Sequence, residues 1–131
     1  MTMPEVHDEI VAVTMRMLNA MHKRDVVGYR ECCADDVSAF EWYIAPYRVD
    51  TIDFHLSLIE AGGNGAPTRL DLLTPRVQAY GDTAIITYTL LKTFAEPGIP
   101  AAFKTTNETR VFAKLNGAWK MVHLHKSPTN T

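Results

Sequence analysis

The sequence predicts an α+β domain in which helices come first and antiparallel strands follow. Apolar residues near the N terminus recur at three- and four-residue spacing, and beyond residue 68 the period changes to two. An Asn-Gly pair then separates the last two strand-like runs, which is a strong hairpin signal. This order is typical of a domain whose helices cover one face of a bent sheet. We expect one domain over residues 1–131.

Composition and charge narrow the class of protein. Hydrophobic residues make up 47% of the chain, charged residues 21%, and the net charge is -2. Such a chain has no basic field for phosphates or anionic lipids, so we expect no nucleic acid and no membrane as partners. No signal-peptide pattern opens the sequence, and Cys32 and Cys33 are adjacent, a spacing that rarely forms a disulfide. A cytoplasmic protein with reduced thiols is the expectation.

Helices are predicted in the first half of the chain. The first covers 4–25, with Pro4 in its first turn and an acidic start. Its apolar stripe consists of Val6, Ile10, Val13, Met17, Leu18 and Met21. Asp25 is the expected cap of a second helix over 26–33. Further elements are a short strand over 37–43, a third helix over 50–61 and a loop over 62–67.

Four strands are predicted in the second half. They cover 69–80, 83–96, 102–115 and 118–125, and turn residues separate them. We expect residues 127–131 to form a frayed tail.

A register follows from the Asn116-Gly117 turn. If Leu115 faces Ala118, one face of the hairpin carries four cross-strand pairs: Lys114 with Trp119, Phe112 with Met121, Arg110 with His123, and Glu108 with His125. An apolar floor then lies beside an ionisable cluster. Two interpretations stay open at this point, a ligand pocket and a structural ion-pair network.

The last hairpin resembles a known family. Residues 107–112 read Asn-Glu-Thr-Arg-Val-Phe and 116–125 read Asn-Gly-Ala-Trp-Lys-Met-Val-His-Leu-His. These segments resemble the final hairpin of the association (hub) domain of calcium/calmodulin-dependent protein kinase II. Two upstream segments, 39–41 (Ala-Phe-Glu) and 53–55 (Asp-Phe-His), resemble further hub segments at the same spacing. The resemblance implies the cone-shaped fold of the nuclear-transport-factor-like or SnoaL-like superfamily.

The resemblance also implies a pocket that accepts small carboxylates. The pocket residues of the family fall on Tyr29, Glu41, His55, Arg110 and Lys126. The predicted hairpin register adds His123, on the same face as Arg110. We expect Arg110 to be the main anion contact. A further basic residue of the family falls on Leu90, which cannot bind an anion. Strict alternation from His123 would also turn Lys126 to the opposite face unless a bulge intervenes.

The function implied by the resemblance is oligomerisation without catalysis. The sequence has no Gly-rich phosphate loop and no catalytic-loop motif, so a kinase, if one is a partner, would act in trans. We expect a homo-oligomer, a dimer or a larger ring of dimers, built through the sheet. Six apolar or aromatic residues of the late strands favour this: Tyr88, Leu91, Phe94, Phe103, Val111 and Val122. No cofactor is expected. Calmodulin is not expected as a partner either, because the first helix is acidic.

The alternative class is a small enzyme, because the cone superfamily also includes isomerases, dehydratases and cyclases. In that case His55 or His123 would be the acid/base residue, and Arg110 would hold an enolate or carboxylate. No metal is expected, because His123 and His125 could bind one together only with a third ligand that the sequence does not indicate.

Overall fold

The computed structural model describes residues 2–62 and 67–129. Three helices and six strands make up this part of the chain. In chain order they are α1 (Met3–His22), α2 (Val26–Glu31), β1 (Cys33–Glu41), β2 (Val49–Asp50), α3 (Ile52–Ala61), β3 (Arg69–Tyr80), β4 (Thr83–Glu96), β5 (Ile99–Leu115) and β6 (Ala118–Pro128). The α+β prediction is confirmed.

The strands form one curved, open sheet in the order β2-β1-β6-β5-β4-β3. Neighbouring strands are antiparallel except β1 and β6, which run parallel. The helices pack on one side of the sheet, which we call the inner face. Its buried apolar residues include Ile86, Leu90, Phe112, Met121 and Leu124. The opposite side is the outer face.

Helix α1 begins as the sequence predicts and ends earlier. Thr2 and Glu5 form a reciprocal capping box, so two backbone N–H groups at the start have acceptors. Ile10, Met17 and Leu18 from the predicted stripe are fully buried. The helix stops at His22, and Asp25 then caps α2 through a 2.9 Å bond from the Gly28 backbone N–H.

Other boundaries differ at the ends of elements. Strands β3 and β4 match the prediction, whereas α2 ends at Glu31 and β1 begins at Cys33, before the predicted 37–43. The short strand β2 was not predicted, and β5 begins at Ile99. Strand β6 continues to Pro128, so the first residues of the predicted tail are paired with β5. The predicted loop over 62–67 lies mostly outside the described residues.

The two cysteines are free, as their adjacency predicted, and both are buried. Burial raises the pKa of the Cys33 thiol to about 12, so this thiol is protonated at neutral pH.

The predicted hairpin register holds near the turn and fails beyond Val122. Asn116 and Gly117 have φ of 51° and 83°, as a tight hairpin turn requires. Pairs from Leu115–Ala118 to Phe112–Met121 are as predicted, but a bulge then shifts β6 by one residue. The observed pairs are Val111–His123, Arg110–Leu124, Thr109–His125 and Glu108–Lys126.

This shift corrects the predicted faces of three residues. Because side chains alternate with period two, a one-residue slip exchanges the two faces of the strand beyond it. Lys126 therefore lies on the inner face with Glu108 and Arg110. The prediction that His123 and His125 share that face is wrong, because both belong to the outer face.

The outer face is less apolar than the predicted set implies. Leu91, Phe103 and Val111 alternate with inner residues and belong to this face. Tyr88 does not, because it is buried among inner-face residues. Phe94 has the same parity as Tyr88 on β4 and shares its face.

Candidate functional site

The first part of the site is a buried triangle of Tyr88, Glu108 and Arg110. The β4–β5 register sets Tyr88 opposite Glu108, and Arg110 follows two residues later on the same face. The Tyr88 hydroxyl donates to Glu108 Oε1 at 2.7 Å, and Arg110 Nε donates to Tyr88 Oη at 2.7 Å. Arg110 Nη2 closes the triangle on Glu108 Oε1 at 3.1 Å. The side chains of Arg110 and Glu108 are 1% and 2% exposed, so this ion pair is dry.

The charges of the triangle stabilise each other. Burial would raise the pKa of Glu108, but Arg110 and then Lys126 outweigh it and hold this pKa below its usual value. Glu108 is therefore ionised at neutral pH. Among the described residues, the acceptors of Arg110 Nη1 are two thioether sulfurs, Met121 Sδ at 3.2 Å and Met17 Sδ at 3.9 Å. Sulfur is a weak acceptor, so this nitrogen is poorly satisfied.

The second part of the site is the group of Glu41, Tyr43 and Lys126. The parallel β1–β6 register sets Glu41 beside Lys126. Lys126 Nζ lies 2.9 Å from Glu41 Oε2 and donates to Tyr43 Oη at 3.1 Å, and Tyr43 Oη donates to Glu41 Oε2 at 2.9 Å. Burial opposes ionisation of Glu41, but Lys126 lowers the pKa of this carboxyl below its usual value. Lys126 is thus already paired with an internal counter-ion, Glu41.

Two helices add Tyr29 and His55 to the second group. Tyr29 on α2 and His55 on α3 are both 3% exposed, and Tyr29 Oη lies 3.3 Å from His55 Nδ1. His55 Nε2 is 3.9 Å from Glu41 Oε1, too far for a hydrogen bond, and has no other partner within 2–62 and 67–129. Burial lowers the pKa of His55, although Glu41 opposes this, so the ring is neutral at pH 7.

Most of the predicted site residues lie together on the inner side of the sheet. They are Tyr29, Glu41, His55, Arg110 and Lys126. His123 is elsewhere: its Nδ1 lies 2.7 Å from Ser38 Oγ, and its ring meets the Phe40 ring edge-on. This histidine cannot act with Arg110, which faces the other side.

Sequence reasoning missed Tyr43 and Tyr88 as members of the site, and it did not note that Lys92 shares their side of the sheet. Tyr88, Leu90 and Lys92 alternate along β4, so the inner-face position assigned to Leu90 would have indicated both neighbours. Tyr43 follows β1 in a turn, and nothing in the sequence indicated that it would return to Glu41.

Comparisons with known proteins agree with the observed fold. The family model described as calcium/calmodulin dependent protein kinase II association domain matches residues 6–130. The chain belongs to this association domain family. The calcium/calmodulin-dependent protein kinase type II alpha chain of Drosophila melanogaster is 31% identical to it over 122 residues, which are 91% of this chain and 23% of the relative. The chain thus spans about a quarter of the length of this curated relative.

Solved structures show the same fold. The association domain of the Caenorhabditis elegans kinase superimposes with a TM-score of 0.82 at 29% identity, covering 92% of this chain and 93% of that one. A nuclear-transport-factor-like protein of unknown function from Pseudomonas putida gives a TM-score of 0.76 at 22% identity and covers 95% and 87%. The second likeness shows the fold alone, and it confirms the predicted cone class.

Two kinds of structure are absent from residues 2–62 and 67–129 of this association domain. No helix in these ranges is long and apolar enough to cross a membrane. No group of three or more His, Cys, Asp or Glu residues there is placed to hold a metal ion.

Proposed function

We propose that this association domain is an oligomerisation module that assembles through the outer face of its sheet into a dimer or a larger ring of dimers. Membership of the association domain family carries the proposal. The outer face supports it, because the helices pack on the inner face and leave Leu91, Phe103 and Val111 without a helical cover. Phe103 is 63% exposed. Apolar surface of this kind marks protein–protein contacts.

Light scattering coupled to gel filtration tests the assembly. We expect a mass of at least twice the 14.7 kDa chain at micromolar concentration. Val111→Glu places a charge on the outer face and is expected to reduce the mass to a smaller species. Val27→Glu is the matched control, because Val27 is 65% exposed on helix α2 and is not part of the outer face of the sheet. A parent that stays monomeric on concentration, or a Val111→Glu variant with the parent mass, would contradict the proposal.

The second part of the proposal is a small-anion site at the inner-face cluster of Tyr29, Glu41, His55, Arg110 and Lys126. Its support is the concentration of buried charge, which includes two cations on one face. Because Glu108 and Glu41 already neutralise these cations, a carboxylate gains little from either. We therefore expect millimolar affinity, a binding free energy of about -4 kcal/mol. NMR titration with acetate and butyrate measures it, and an absence of shifts in inner-face amides would refute the site.

The alternative is a cone-fold enzyme with His55 as its base. One observation favours it: His55 Nε2 is buried, without a hydrogen-bond partner in the described part of the chain, and its ring is neutral. His123 no longer qualifies beside Arg110. Exchange of α-protons of small keto acids into deuterated water, lost in His55→Gln, would support this alternative. Unchanged substrate spectra in the presence of the parent would exclude it for that class.

Location and partners complete the proposal. The domain would act in the cytoplasm, where free buried cysteines such as Cys32 and Cys33 stay reduced. A kinase in trans is a candidate partner. Co-purification of the domain with a kinase that is a separate polypeptide chain would test that association.

A further inference from the structure

Lys92 lies on the inner face beside the candidate anion site. Strand β4 buries Ala84, Ile86, Tyr88 and Leu90 in strict alternation, and Lys92 is the next position in that series. It pairs with Leu70 on β3 and with Lys104 on β5. The Lys92 cation therefore lies two residues after Leu90 and on the same face. Leu90 is the position where the family resemblance indicated a lost basic residue.

Lys92 differs from the other inner-face cations because no carboxylate of the described residues lies within ion-pair distance of it. Arg110 is bound to Glu108 and Tyr88, and Lys126 to Glu41. Lys92 makes no hydrogen bond or ion pair with any residue of 2–62 or 67–129. Burial lowers the pKa of Lys92 and the positive charge of Lys126 lowers it further, while the negative charge of Glu108 opposes this.

His22, in the last turn of α1, completes the surroundings of Lys92. Burial lowers the pKa of His22 to about 4, and the next contributions come from Lys92 and Lys126. The ring is therefore neutral at pH 7. Its Nε2 atom is buried and has no hydrogen-bond partner in the described residues. A buried polar atom without a partner is costly, unless a ligand or water satisfies it.

The five charged side chains of this cluster, with the exposed Lys104 left out, add up to an excess of one cation. Arg110, Lys126 and Lys92 carry three positive charges, whereas Glu41 and Glu108 carry two negative charges. The neutral His22 and His55 rings do not change this balance. One bound monoanion would neutralise the cluster.

We propose that Lys92 is the residue that contacts the anion directly, and that His22 Nε2 donates a hydrogen bond to the same small monocarboxylate. This inference rests on the proposed anion site and names its binding residue. Arg110 and Lys126 then provide background potential, because a ligand would have to displace Glu108 or Glu41 to reach them. A lysine that merely extends to solvent would keep its head group hydrated, whereas burial acts on the Lys92 ammonium.

The experiment compares Lys92→Gln with Lys104→Gln by NMR titration with acetate and butyrate. Lys104 is the matched control, because it pairs with Lys92 across β4 and β5 but is exposed and lies over the Phe94 ring. We expect Lys92→Gln to weaken binding at least tenfold, Lys92→Arg to retain it, and Lys104→Gln to bind as the parent does. Thermal melting checks the fold, and Lys92→Gln is expected to melt no lower than the parent because an unpaired, partly buried charge is removed.

The possible failures are distinguishable. If the parent binds and Lys92→Gln binds equally well, the role of Lys92 is overturned and the anion site stands. If both lysine variants weaken binding to the same extent, the effect is one of net charge, and the assignment to Lys92 is overturned as well. If the parent shows no carboxylate-dependent shifts, the anion site and the role of Lys92 fall together.

Discussion

Replacing Glu108 with Gln should destabilise the domain severely. The change leaves the shape and one acceptor oxygen in place but removes the charge opposite Arg110, whose side chain is 1% exposed. Breaking a buried ion pair by neutralising one partner costs about 3–5 kcal/mol, because the remaining charge is uncompensated. Domains are stable by only about 5–15 kcal/mol, so the loss would be a large share of the total. With a urea dependence of about 2 kcal/mol per molar, the midpoint should fall by about 1.5–2.5 M.

Urea unfolding at a fixed protein concentration measures this effect, because assembly makes stability depend on concentration. Asp71→Asn is the control: Asp71 faces Arg69 at 2.8 Å on β3, but Arg69 is 72% exposed, so we expect a loss of at most about 1 kcal/mol. The double variant Glu108→Gln/Arg110→Met should regain most of the stability, because the charge that Glu108→Gln leaves without its partner is removed as well. The reasoning is refuted if Glu108→Gln costs no more than Asp71→Asn.

Two further predictions concern the hairpin turn and acid stability. Gly117→Ala should lower the free energy of unfolding by about 1–2 kcal/mol, because Gly117 has φ of 83° and an added Cβ would meet no neighbour. A larger loss in urea unfolding would contradict backbone strain as the cause. Stability should fall as the pH drops below 6.5, because His22 and His55 have lowered pKa values in the folded state and take up protons more readily when unfolded. Between pH 6.5 and 4, the urea midpoint of the variant His22→Gln should change less with pH than the midpoint of the parent does. An equal pH dependence in the two proteins would contradict the assignment to His22.

The sequence allowed the fold to be predicted because its local signals agree. Pro4 and the acidic first turn start α1, the Asn116-Gly117 pair fixes a hairpin, and the period of two marks β3 and β4 to the residue. The two-residue strand β2 could not be predicted, because so short a segment has no periodicity and exists only through its pairing with Ser38 and Ala39.

The site was predicted in part, and a single bulge explains the main error. Strict alternation from the Asn-Gly turn assigned His123 to the inner face, yet β6 gains a residue near Val122 and turns Lys126 inward instead. The bulge lies where β6 pairs with β1 on one side and with β5 on the other, and no local sequence pattern indicated it. The family resemblance indicated Lys126 correctly as an inner-face position because it compares whole segments instead of counting from the turn.

Leu90 and Lys92 show how the inner face could change its ligand preference without changing its fold. The resemblance expects a cation at Leu90, but that side chain is fully buried within the apolar core. Two residues later, about 7 Å along the strand, Lys92 provides a cation on the same face. An anion bound there would lie closer to Lys92 and His22 than to Arg110. A flexible lysine and a neutral imidazole offer a point charge and one hydrogen bond, where an arginine would offer a planar fork. Weak binding of small monocarboxylates, with little discrimination among them, is what this arrangement favours.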